Sequence, residues 1–146
     1  METEDGYILK MHRILPKNKN SSTKPPVILM HGMLCTSADY ILLGPYKALG
    51  FLLSNNNYDV WLGNNRGNTY SFHHKTLNPK SKKFWDFSFH ELGYYDLSRM
   101  IDYVLEISGK DQLFYVGHSQ GTTQVNFYLY LKNKIFDNFS KIKYSF

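Results

Sequence analysis

Three short apolar runs, Val27-Ile28-Leu29-Met30, Tyr58 to Leu62 (apolar save for Asp59) and Leu113-Phe114-Tyr115-Val116, each stop at a glycine-containing turn. This arrangement constrains the chain more than any other feature. A run apolar throughout lacks the in-out alternation of a half-exposed strand and reads as a strand covered on both faces of a sheet. Between the runs lie segments that suit helices. Lys47 to Ser54 is one, closed by Asn55-Asn56-Asn57, and Thr122 to Leu131 is another. The strongest helical pattern runs from Phe89 to Ser108, where Leu92, Tyr95, Leu97, Ile101, Val104, Leu105 and Ile107 recur mostly three or four apart before Gly109. Strand and helix therefore alternate, the order of a parallel α/β sheet, in which ligands sit at the carboxyl ends of the strands. Gly6 to Leu15 alternates in part and ends at Pro16, an extended segment or half a hairpin, and polar Lys17 to Pro26 is a surface loop.

With 146 residues, 42% of them apolar and 20% charged, the chain has material for one domain with a core. A disordered tail, a collagen-like repeat and a disulfide mini-protein are excluded. No internal repeat or linker divides it. The formal charge of +5 is concentrated in Lys10 to Lys24 and Lys132 to Lys143, where Asp137 is the only acid. No nucleic-acid recognition motif accompanies these runs, so they read as solvated loops or ends and no nucleic-acid partner is expected. The single Cys35 has no internal partner and reads as a small core or loop residue. No stretch approaches the 18 or so apolar residues of a spanning helix, and the acidic start Met1-Glu2-Thr3-Glu4-Asp5 does not read as an export signal. Asn20-Ser21-Ser22 and Asn138-Phe139-Ser140 are glycosylation sequons, which matter only in a secreted protein.

Gly117-His118-Ser119-Gln120-Gly121 fits G-x-S-x-G and stands between an apolar strand and a helical segment. In that setting the turn is sharp enough to strain the serine backbone, and Gly117 and Gly121 flank it because a larger side chain would strike the neighbouring strand or helix. Ser119 is thereby presented at a helix start, where free N–H groups and the positive dipole end favour developing negative charge. An acyl-transfer serine also needs an oxyanion hole made of the N–H after the nucleophile and one from the loop after an earlier strand. Gln120 supplies the first, and His31-Gly32-Met33 places a candidate for the second at the same end of the sheet.

These motifs resemble the acid lipase family of α/β-hydrolases, which includes gastric, lysosomal acid and insect lipases and related sterol esterases. The resemblance is carried by Thr3-Glu4-Asp5-Gly6-Tyr7-Ile8-Leu9, His31-Gly32-Met33-Leu34, Tyr58 to Ser71, Phe84-Trp85-Asp86-Phe87-Ser88, Tyr95-Asp96-Leu97 and Tyr115 to Thr123. Gly44-Pro45 with Lys47-Ala48-Leu49 is most similar to the insect members. It implies a mostly parallel sheet with flanking helices, Ser119 as nucleophile, and Met33 and Gln120 as carriers of the oxyanion-hole amides. Met33 stands where leucine is usual, which leaves the backbone N–H intact. Gly117, His118 and Gly121 would support the elbow at 117–121. The implied activity is hydrolysis of lipid esters, triacylglycerol or sterol ester, through a serine acyl-enzyme at a possible lipid–water interface. No metal or cofactor is implied, and the family setting is secreted or lysosomal.

A triad also needs an acid and then a histidine after the serine in this fold. After Ser119 there is no His, and the only acid is Asp137. The six histidines, His12, His31, His73, His74, His90 and His118, all precede or adjoin the nucleophile. A triad from the residues present would have to pair His73 or His74 with Asp96. The chain is thus expected to be a single incomplete domain over 1–146, with a hairpin region about 3–16 and with the lid and C-terminal strands absent. On that reading Leu113 to Val116 forms an unpaired sheet edge, prone to aggregation, and the chain alone is inactive. Two further classes are a product that binds lipid or a partner without turnover, and an α/β-hydrolase acting as a peptidase or thioesterase.

Overall fold

The computed structural model describes residues 1–18, 24–135 and 142–144. The strands are β1 (Tyr7–Ile8), β2 (His12–Ile14), β3 (Val27–Met30), β4 (Val60–Leu62), β5 (His73–His74), β6 (Leu113–Gly117) and β7 (Ile142–Tyr144). The α-helices are α1 (Leu49–Asn55), α2 (Phe89–Glu91), α3 (Ser98–Ser108) and α4 (Gln120–Ile135). Five strands form one sheet in the order β2-β4-β3-β6-β7, parallel except for β2. The expected mostly parallel α/β architecture is met, and all three apolar runs become its central strands.

Alternate residues of those strands serve opposite faces, as the strand period requires. Ile28, Met30, Trp61, Leu113 and Tyr115 pack on one side with Leu97, Met100, Ile101 and Val104 near α3 and with Val125 and Tyr128 of α4. On the other side Val27, Leu29, Val60 and Leu62 pack with Leu53 of α1. Ile28, Leu29 and Met30 have no exposed surface, which is why no polar residue interrupts the run. From β3 the chain steps to β4 on one side, then crosses to β6 on the other, so β3 and β6 flank the point where the order reverses. Met30 and Gly117 are register partners there, and a crevice at the strand ends is the geometric consequence.

Three expectations are corrected. Residues 3–16 do not make one hairpin: β1 pairs antiparallel with β5 in a separate two-stranded sheet, while β2 joins the main sheet against β4. The local turn that does form is smaller; Thr3 N–H donates to Tyr7 O and Leu9 N–H to Met1 O around Gly6 at φ 97°. Second, the pattern over Phe89 to Ser108 is not one α-helix, because Leu92–Leu97 is a π-helical turn between α2 and α3. Asp96 is drawn inward to an arginine there, and Gly93 lies so close to α4 that a Cβ would sit 3.1 Å from the Gln124 carbonyl oxygen. Third, β6 is not an open edge. A strand after the elbow is present: β7 pairs parallel with it in the register Leu113↔Ile142 to Tyr115↔Tyr144, closing a β6-α4-β7 crossover. The sequons at Asn20 and Asn138 and the acid Asp137 lie outside the described residues.

Candidate active site

The turn from β6 into α4 is built by backbone contact. A Cβ on Gly117 would lie 2.7 Å from the Gly121 carbonyl carbon, and one on Gly121 would lie 2.7 Å from the Met30 carbonyl oxygen, so both positions admit only hydrogen. Three hydrogen bonds brace the turn. The Tyr115 hydroxyl donates to Gly121 O at 2.8 Å, Thr122 Oγ1 to Gly117 O at 2.9 Å, and His118 N–H to Met30 O at 3.0 Å. Ser119 at the tip is exposed and holds φ 52°, the left-handed region that side chains with a Cβ seldom adopt. Gln120 opens α4, so its N–H is among the helix's unpartnered first donors.

The loop after β3 meets this tip. A Cβ on Gly32 would stand 3.2 Å from Ser119 Cβ and 3.1 Å from His118 Nδ1, which puts the Gly32 backbone directly against the serine. Met33 and Leu34 beyond it are exposed, Leu34 completely, and Leu34 sits at φ 59°. Met33 and Gln120, the two expected amide donors, line one cleft of about 400 Å³ together with His31, Asn65, Trp85, Phe87 and Leu92. Ser119 adjoins Gln120 at its margin.

The loop after β4, part of the Tyr58 to Ser71 stretch that carries the resemblance, holds polar residues to which the sequence assigned no individual role. Asn64, Asn65 and Arg66 are buried. Asn64 receives Ser37 N–H at 3.0 Å and donates to Lys10 O at 3.0 Å, which ties the loop to the segment before β2. Arg66 donates to Asp96 through Nε at 2.8 Å and to Asp5 through both terminal nitrogens, and its guanidinium lies 3.9 Å from the Tyr7 ring centroid. Burial opposes the Arg66 charge, but the two carboxylates outweigh it and hold the group firmly protonated. Burial pushes Asp96 up to about 6 against the pull of Arg66. Asp5 is less enclosed, and there Arg66 and Thr3 overcome burial and hold the carboxyl below its usual value. On α4, Gln124 is fully buried and donates to Asn65 Oδ1 at 2.9 Å and to Leu92 O at 2.6 Å, a carbonyl of the π-helical turn. A dense polar cluster directly after a buried strand, Asn64-Asn65-Arg66, is the signal in the sequence that marks this hub.

Among the described residues no histidine ring is hydrogen-bonded to Ser119 Oγ. His12 meets Ser37 Oγ at 3.0 Å, His31 meets Gly32 O at 2.7 Å, and His74 accepts from Thr76 N–H and contacts Asp5 O. His73 is exposed in β5, His90 stacks on Tyr94, and His118 lies against Gly32. Asp96 is committed to Arg66. The pairing of His73 or His74 with Asp96 is therefore not formed. Cys35 is a free thiol in the loop after β3. Among the described residues no three His, Cys, Asp or Glu side chains converge to hold a metal ion, and no helix is long and apolar enough to cross a membrane.

A strand, a strained serine between close-packed glycines and a helix at a sheet crossover make up the turn geometry in which an α/β-hydrolase would present a nucleophile. The model of the alpha/beta hydrolase fold matches residues 25–139. The chain belongs to the α/β-hydrolase fold family. Residues 1–44 also match the family described as a partial alpha/beta-hydrolase lipase region. Lipase 1 of Drosophila melanogaster is 54% identical over 121 residues, covering 83% of this chain and 26% of that protein. Lysosomal acid lipase/cholesteryl ester hydrolase of Homo sapiens is 48% identical over 126 residues, covering 84% and 32%. The resemblance to the acid lipases is thereby borne out, and the chain spans about a quarter to a third of the length of these relatives. Among solved structures, a Bacillus licheniformis lipase aligns with TM-score 0.57 at 17% identity over 85% of this chain and 22% of that one. An epoxide hydrolase of Vigna radiata aligns with TM-score 0.56 at 22% identity over 98% and 36%. These two share the fold.

Proposed function

We propose that this α/β-hydrolase chain supplies the nucleophile and oxyanion pocket of a serine ester hydrolase acting on lipid esters, triacylglycerol or sterol ester. The observation that carries the reading is Ser119, strained at φ 52° and exposed beside a cleft that both Met33 and Gln120 line. An ester carbonyl over Ser119 Oγ would place its developing oxyanion at the N–H groups of Met33 and Gln120, donors fixed before the reaction and therefore cheap to use. The serine oxygen would bond to the carbonyl carbon, its proton passing to a base, and the alcohol would leave from the tetrahedral intermediate. Exposed Met33, Leu34, Leu42, Leu43 and Tyr46 around the loop after β3 supply apolar surface suited to a lipid–water interface. The similarity to a lysosomal acid lipase supports a lysosomal or secreted setting.

The geometry of the histidines favours a second statement about the 146 residues by themselves. With no histidine ring hydrogen-bonded to Ser119, the serine has no built-in base on this reading, and the chain alone turns over no ester. Two assays test these readings together. With p-nitrophenyl esters the chain is expected to be no faster than Ser119→Ala; clear Ser119-dependent turnover overturns the statement about the missing base. With a fluorophosphonate and imidazole supplied in solution as base, Ser119 is expected to be labelled and Ser119→Ala is not. Failure of Ser119 to react under those conditions overturns its reading as a nucleophile.

A further inference from the structure

His31 is 3% exposed at the end of β3, and both ring nitrogens are used. Nε2 faces the Asn65 backbone N–H at 3.2 Å and the Asn68 side-chain amide at 3.1 Å. A backbone N–H can only donate, so Nε2 is a bare acceptor and the ring proton lies on Nδ1. Nδ1–H then donates to Gly32 O, at 2.7 Å. Burial, working against the bond to Gly32, keeps this ring's proton affinity below that of an ordinary histidine, consistent with the neutral form.

The Gly32 carbonyl and the Met33 N–H belong to one planar peptide unit, which is trans, as the described residues contain no cis bond, so the two groups point in opposite directions. Whatever holds the carbonyl aims the N–H. Cys35 N–H also reaches Gly32 O, at the longer distance of 3.3 Å, closing a turn over Met33 and Leu34. That turn contains the positive φ of Leu34, whose side chain is fully exposed and contributes no packing to hold it. We propose that His31 is the positioning residue of the oxyanion pocket: its imidazole clasps the Gly32 carbonyl and so aims the Met33 N–H at the oxygen of an ester bound over Ser119. The proposal rests on the serine ester hydrolase reading above. The clasp is itself anchored, since Asn65, which donates to His31, is tied through Gln124 to α4, the helix that presents the Gln120 N–H. One hydrogen-bonded path thus sets the relative placement of both donors.

The test uses the chain as it is and two variants. On the unmodified, ¹⁵N-labelled chain, long-range proton–nitrogen NMR at about pH 8, where the ring is neutral, is expected to show His31 with Nδ1 protonated and Nε2 bare. The opposite tautomer overturns the proposal with no variant needed. His31→Leu removes the donor, whereas His31→Asn keeps an amide N–H near the place of Nδ1. Fluorophosphonate labelling of Ser119 with imidazole as base is expected to slow at least about tenfold in His31→Leu. His31→Asn is expected to restore most of that rate, with the Gly32 ¹³C carbonyl shift returning toward the wild-type value. Rescue of this kind separates aiming a donor from filling a core site, because leucine fills the space and asparagine underfills it. Wild-type labelling that His31→Leu leaves unchanged overturns the role of His31 while the serine reading stands. Absence of labelling in wild type overturns the serine reading and, with it, the proposal.

Discussion

At Ser119 the chain accepts a backbone conformation that costs a residue with a Cβ of order 1–2 kcal/mol, and the close glycine contacts on either side leave it no alternative path. Glycine at the same position would be free of that penalty. Ser119→Gly is therefore expected to raise unfolding stability by about 1 kcal/mol, once the added freedom of the unfolded chain is subtracted. A urea titration measures it, and a variant less stable than wild type would show that the turn is not strained. Stability gained by removing the one side chain on which the proposed chemistry depends is the usual sign of a residue placed for function. Ser119 and its flanking glycines were legible in the sequence because the motif and the close packing that it needs are both local. His31 was not, since its role depends on Asn65 and Asn68, more than thirty residues away.

The π-helical turn Leu92–Leu97 and the loop after β4 are joined by Arg66 and Asp96, both buried. The folded value of Asp96, about 6, lies above its ordinary value of 3.8, so the folded chain holds that proton more tightly than the unfolded chain does. The stability contributed by this group is then greatest below about pH 4 and is lost as pH rises toward 6. Between pH 4.5 and 7 the wild type is expected to lose about 2 kcal/mol relative to Asp96→Asn, which has no proton to release. Urea midpoints at the two pH values check this, and parallel profiles for the two proteins would contradict it. Asp5 acts in the opposite sense, because its depressed value makes its contribution fade as pH falls. The helical period over 89–108 was readable from apolar spacing, but the π turn within it was not. Spacing records which face is apolar, whereas the extra residue per turn arises from Asp96 reaching Arg66 and from the close approach of Gly93 to α4.

Across the whole molecule, the sheet sorts the chain into two apolar layers and leaves the carboxyl ends of β3 and β6 side by side. On the far side of β6, β7 completes the backbone hydrogen bonding of the strand that carries the elbow. Deleting residues 141–146 is expected to expose that ladder, lower the urea midpoint and increase light scattering at a given concentration. An unchanged midpoint and a clear solution would mean that β7 contributes nothing to the fold.

The apolar runs and the glycine turns that follow them determined the parallel sheet, its strand ends and the strained serine turn between β6 and α4, because burial on both faces and a tight strand-to-helix turn leave few residue choices. The tertiary structure alone decided that β7 covers β6 and that residues 3–16 divide between two sheets. It also decided the clasp of His31 on the peptide before Met33. Each of these is a pairing between residues far apart in the chain, and no local pattern of apolar and polar residues specifies which distant donor will meet which acceptor.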